Sequence, residues 1–261
     1  MKKFKTGKLP VDKERLKGAL KMSRYMYAVD LPVPPTVFNS LSNVLASLDL
    51  KPCANPIQAT DVSNLLPIDY NDTLGDCVMA MWAHGITVYN GLVSKMNIPP
   101  ADAVKAAYCK LTGGKDSGLN VQSTLEYAAK NSLLGEKPGI PVYIDPTNLD
   151  HVRLALYLTG YLPTGIECQD NFADQFQAHQ PWDGTGSNEG GHGIGLLAVD
   201  ENLLYVATWG GIAAITMDCW VQQVDECWAV LPIEATKPGY CPGFDYNTLT
   251  ADLLAIQDQE Q

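Results

Sequence analysis

From Cys77 to about Lys95 the chain reads CVMAMWAHGITVYNGLVSK, apolar or small on every side of a helix. A helix of that kind offers no face to water and belongs in the middle of a molecule. The rest of the chain has to be arranged around it. Pro99-Pro100 opens a second helix through Leu111, ended by Gly113-Gly114. Val121 to Leu134 reads as a third, with Gly135 as its stop, and Leu149 to Leu158 as a fourth. Then the texture changes. Tyr161–Ile166, Gly193–Val199, Leu203–Thr208 and Cys227–Ile233 are short apolar runs rich in β-branched and aromatic residues, the pattern of strands. Asp200-Glu201-Asn202 is a tight turn between two of them, and Thr216–Val224 a short amphipathic helix. Helices first and an antiparallel sheet after them define an α+β protein. A cleft between the two halves is the natural place for a site.

The chain has 261 residues, with room for one large domain or two small ones, and 46% of them are hydrophobic. A formal net charge of −11 argues against nucleic acid as a partner. The first twenty-one residues run the other way, with eight Lys or Arg against one Asp and one Glu. They read as a basic arm over residues 1–60, either solvated or lying on an acidic protein partner. In it Lys13 to Tyr27 is a candidate basic helix, and Leu31-Pro32-Val33-Pro34-Pro35 is extended. The arm is expected to add few contacts to the core. Residues 61–235 form the main domain, and 236–261 a tail with a short helix.

The seven cysteines (53, 77, 109, 168, 219, 227 and 241) include no CxxC pair and no close Cys/His cluster, so no metal is expected. No apolar run reaches membrane-spanning length, and no apolar segment follows the basic start. The expected location is cytoplasmic, with assembly into a particle also open and no membrane partner.

Cys77 stands at the start of the buried helix, where unpaired N–H groups favour a thiolate. His192, in Gly190-Gly191-His192-Gly193, leads into a strand and is a natural imidazole base. A tetrahedral oxyanion needs donors, and Asn71, six residues before Cys77, has an amide to offer. The expectations are a Cys77 sulfur within about 4–5 Å of a His192 nitrogen and a thiol ionising below the roughly 8.5 of free cysteine. Against this stands the bland reading that a cysteine is most often a small buried hydrophobe. His84, two helical turns from Cys77, is too distant for a base and reads as structural. His151 and His179 read as exposed, and Trp182 and Trp209 as walls of the cleft.

Asp69-Tyr70-Asn71-Asp72-Thr73-Leu74-Gly75-Asp76-Cys77 resembles the nucleophile segment of papain-like cysteine peptidases. Gly191-His192 with the apolar strand after it resembles that family's histidine segment, and Ala207-Thr208-Trp209-Gly210 its Asn-Ser-Trp-Gly motif. More narrowly, the chain is similar to an uncharacterised papain-like group of bacterial and phage genomes. Its features include a late segment like Val224-Asp225-Glu226-Cys227-Trp228 and an upstream Gly7-Lys8-Leu9-Pro10. The resemblance implies a helical half, with the nucleophile on its central helix, packed on an antiparallel half. It implies a thiol hydrolase of peptide, isopeptide or related amide bonds, without cofactor, using Cys77, His192 and Asn71. Aligning the tryptophans puts Ala207 where the histidine-orienting asparagine belongs. The orienter is then Thr208, if the strand register slips by one residue, another group such as Asp200, or absent. A non-catalytic papain-fold binding or virion protein is the alternative.

Overall fold

The computed structural model describes residues 4–24, 62–92, 97–137, 139–231, 245 and 247–252. After a short α1 (Lys13–Lys17), the apolar stretch forms α2 (Cys77–Leu92), buried without a break from Cys77 to Val88. Helix α3 (Ala101–Thr112) starts at Pro100 and ends on Gly113, whose left-handed backbone returns its N–H to the Cys109 carbonyl. Helix α4 (Val121–Asn131) begins where the Asn120 side chain accepts from the Ser123 N–H. It stops short of the expected Leu134 because Ser132 turns to φ 57°.

Strand β1 (Ile140–Ile144) and α5 (Leu149–Thr159) lead into β2 (Leu162–Gln169) and α6 (Phe172–Gln177). Strands β3 (Asn188–Val199), β4 (Leu203–Thr208) and β5 (Gly211–Thr216) follow, then α7 (Met217–Gln223) and β6 (Val224–Leu231). The sheet runs β1-β6-β2-β3-β4-β5, with every neighbouring pair antiparallel. Strand β3 is buried from His192 to Val199 on both faces. One face packs with α5, α6 and α7 through Ile194, Leu196, Leu156, Phe172 and Trp220. The other meets the back of α2 at Val88, with Leu197 and Tyr205 beside it. The far side of α2 packs on α3 and α4 through Trp82, Tyr108 and Leu125.

Two strands and one helix were not evident in the sequence. Strand β1 contains Pro141 and β5 is Gly- and Ala-rich, and both occupy sheet edges, where the ladder tolerates such residues. Helix α6 is a six-residue segment in a polar stretch.

The arm is the larger correction. Its described residues do not wrap outward with few contacts. Met22 is fully buried in the sheet-side core, Lys8 is buried, and Phe4 and Leu20 pack against that core. The expected helix over Lys13–Tyr27 is broken into α1, ended at Gly18, and a single 3-10 turn at Met22–Arg24; residues 25–27 and the extended Leu31–Pro35 lie outside the described residues. At the other end, residues 247–252 are helical and Leu249 is buried in the same core.

Candidate active site

Cys77 is the first residue of α2, so its thiol sits at the positive end of a sixteen-residue helix. The Gly193 N–H of β3 donates to its sulfur over 3.3 Å. Gly193 permits this approach: a Cβ there would lie 3.0 Å from the Val78 Cα. The thiol is nonetheless not primed as expected. Burial pushes its pKa up to about 11; the N–H groups of Gly193, Gly7 and Val78 pull it down, and the Asp76 charge pushes it up. At 1% exposure the loss of water outweighs the helix end.

His192, the residue before Gly193, is equally buried. Its Nε2 lies 2.8 Å from the Thr208 Oγ1, and its Nδ1 has no hydrogen-bond partner among the described residues. The ring tilts against Trp209 with centroids 4.8 Å apart. Burial, helped by the charge of His84, pushes its pKa down to about 3, so the imidazole is neutral.

Strand parity explains why Thr208 meets it. Ala207 pairs with Gly195 in the β3–β4 ladder, so its side chain shares the face of Gly195, opposite His192. Thr208 is one residue on and lies on the histidine's face. Asp200 is spent in the β3–β4 turn, accepting from the N–H groups of Asn202 and Leu203 and the Tyr205 hydroxyl. Trp182 is buried behind the site, stacked on Phe172 and 5.3 Å from Trp209. His84 is buried with Nε2 against the Pro67 carbonyl at 2.8 Å; His151 is half-buried and His179 exposed.

Asn71 does not present a free amide. Its Nδ2 donates to the carbonyls of Leu74, at 3.3 Å, and Lys5, at 3.1 Å. Lys5 belongs to the segment that fills the cleft. The Gly7 and Lys8 N–H groups donate to the Gly191 carbonyl, the Leu119 N–H to Gly7, and the Leu9 N–H to Leu119. Residues 5–9 are thus hydrogen-bonded to both walls, with Phe4 stacked on Trp209 at 4.5 Å. A groove of about 440 Å³ runs along this segment beside Gly75, Asp116, Gly118, Gly190 and Gly191. The segment and its partners on β6 had no assigned role in the sequence; Gly7-Lys8-Leu9-Pro10 was visible there only as a point of likeness. Among the described residues no group of three His, Cys, Asp or Glu side chains is arranged to hold a metal ion. No described helix is long and apolar enough to cross a membrane.

No family model and no curated protein matches the chain. Solved structures do. Xylellain, a cysteine protease from Xylella fastidiosa, superposes with a TM-score of 0.57 at 15% identity, over 89% of this chain and 97% of its own. Procathepsin B S9 from Trypanosoma congolense gives 0.55 at 12% identity, over 87% and 86%. The fold is therefore papain-like, a helical half carrying Cys77 against an antiparallel sheet carrying His192.

Proposed function

We propose that the protein is a thiol hydrolase of peptide or related amide bonds, held closed here by its own N-terminal segment. One observation carries the reading. His192 is tied through one nitrogen to Thr208 and keeps the other unbonded, one residue from the N–H that touches the Cys77 sulfur. In this scheme His192 Nδ1 takes the thiol proton and the thiolate attacks the substrate carbonyl carbon. The C–N bond breaks as the imidazolium protonates the leaving amine, giving a thioester on Cys77. A water deprotonated by His192 then hydrolyses the thioester, releasing the acid and restoring the thiol. The helix end at Cys77 faces the developing oxyanion, joined by the Asn71 N–H that now holds the Lys5 carbonyl. That hydrogen is free only when the segment leaves. Departure of the segment also rehydrates Cys77 and His192, reversing the burial that keeps both uncharged.

The occluded thiol is also what a non-catalytic papain-fold binding protein would show, so the test must separate the two. Lys8→Glu sets a third carboxylate against Asp225 and Glu226 and loosens the segment. Alkylation of Cys77 by iodoacetamide at pH 7, read by intact mass, is expected to speed up on the order of tenfold or more. Adding His192→Ala should slow it again, and a fluorogenic peptide should be cleaved only while His192 is present. Alkylation that ignores His192 would hand the lead to the binding-protein reading.

A further inference from the structure

Lys8 has the most unusual surroundings of any charged residue in the described chain. Its side chain is fully buried, with Nζ 2.6 Å from the Asp225 Oδ2 and 3.6 Å from the Glu226 Oε1. The floor beneath it is Gly165, where a Cβ would fall 2.2 Å from the Lys8 Cε. The pocket is therefore long enough for an alkyl chain and has carboxylates at its end. It offers more acceptors than the ammonium uses, since the Asp225 Oδ1 is buried without a partner and the Glu226 Oε1 lies beyond hydrogen-bond distance. The other Glu226 oxygen is fixed by the Trp228 Nε1–H at 2.8 Å.

The backbone that delivers Lys8 is held as an added peptide strand is held. Lys8 bridges Gly191 antiparallel on one side and Leu119 parallel on the other. Next to it Gly7 is squeezed where no side chain fits, its would-be Cβ 1.9 Å from the Gly75 carbonyl oxygen. The Gly7 carbonyl accepts from the Leu119 N–H, while the Gly7 N–H donates to the Gly191 carbonyl and, after that of Gly193, helps pull the Cys77 pKa down. Beside the thiol the segment thus turns an N–H, its carbonyl being held by Leu119. In an extended strand, reversing chain direction exchanges N–H and C=O positions. A peptide to be cleaved would run the other way, with glycine at the thiol and the pocket's occupant before it.

We propose that the Gly165–Asp225–Glu226 pocket is the substrate side-chain subsite of the cleft, selecting a lysine or arginine next to a glycine at the cleaved bond, and that Lys8 fills it in the closed protein. The substrate class is a peptide with a basic residue followed by glycine; this rests on the hydrolase reading above. Two spare carboxylate oxygens suit the wider donor set of arginine as well as lysine.

The pocket itself is tested without Cys77 chemistry. In full-length Lys8→Ala, n-butylammonium should raise the melting temperature saturably, and n-butanol should not. Equal effects of the two, or none from either, overturn the subsite. If Lys8→Ala does not melt cooperatively, alkylation of wild-type Cys77 by two peptide acyloxymethyl ketones decides. The probes end in lysyl-glycine or norleucyl-glycine and are otherwise identical. The lysyl probe should react at least on the order of tenfold faster. Asp225→Asn, whose side chain reaches the surface, should bring the two rates together. Equal rates in the wild type overturn the subsite. Stabilisation of Lys8→Ala by butylammonium, with no labelling of Cys77 by either probe in that same opened variant, sinks the hydrolase reading and keeps the cation pocket.

Discussion

At the scale of single residues, the site turns on where one hydroxyl points. Matching motifs by their tryptophans left alanine in the orienting position, and alanine cannot bond an imidazole. The ladder places Ala207 across Gly195, and it is the hydroxyl of Thr208 that meets the His192 Nε2 at 2.8 Å. On the hydrolase reading proposed above, Thr208 is a positioning residue. Thr208→Val keeps the shape and leaves a buried nitrogen unpaired, a loss of roughly 1–3 kcal/mol. If that loss falls on the orientation of His192, kcat of the opened enzyme should fall on the order of 10–10²-fold with KM little changed, and Thr208→Ser should recover most of it. A KM rise with kcat preserved would show that Thr208 shapes the cleft and does not steer the histidine. The Cys77 environment is the complementary case. The helix start was legible, but the pKa is set by burial, opposed by N–H groups of Gly193 and Gly7 that lie far away in the chain, and no local pattern carries that.

At the scale of elements, legibility followed the punctuation. Gly113 and Gly160 end their helices in left-handed geometry and Asn120 caps the next, all residues whose chemistry is local. Strands β1 and β5 lacked such marks because an edge strand needs neither alternation nor a proline-free ladder. The arm misled for a different reason. Its basic composition reads as solvated, yet Lys8 finds its carboxylates on β6, the nearer of them 217 residues later, and Met22 is buried in the sheet-side core beside β1. Met22→Ala puts a number on this. A fully buried methionine in a closed core should cost about 2–5 kcal/mol of unfolding free energy, read by denaturant melts of the full chain. A loss within a few tenths of a kcal/mol would return the arm to the status of an appendage.

At the scale of the whole molecule, the interior holds acids where two halves meet. Asp69 is buried, and loss of water, then the nearby Asp76 charge, pushes its pKa up to about 8. Its neighbour His84, 3.9 Å away, cannot compensate, because burial pushes that imidazole down to about 4. At neutral pH the pair is therefore uncharged, a protonated carboxyl beside a neutral ring. A carboxyl whose folded pKa lies above its unfolded value binds a proton that the unfolded chain has already released. Its contribution to stability is complete below about 4 and is lost as pH rises through about 8. Asp69→Asn removes the titration and keeps the shape. Stability of the wild type relative to this variant should fall by up to roughly 1.4 kcal/mol per pH unit across that window. Urea melts of both proteins at a series of pH values between 5 and 9 measure the difference. The formal charge of −11, which also weakens the fold as pH rises, is nearly common to the two proteins and drops out. Parallel stability curves would mean that Asp69 is ionised in the folded state, and His84 would then have to carry the balancing charge.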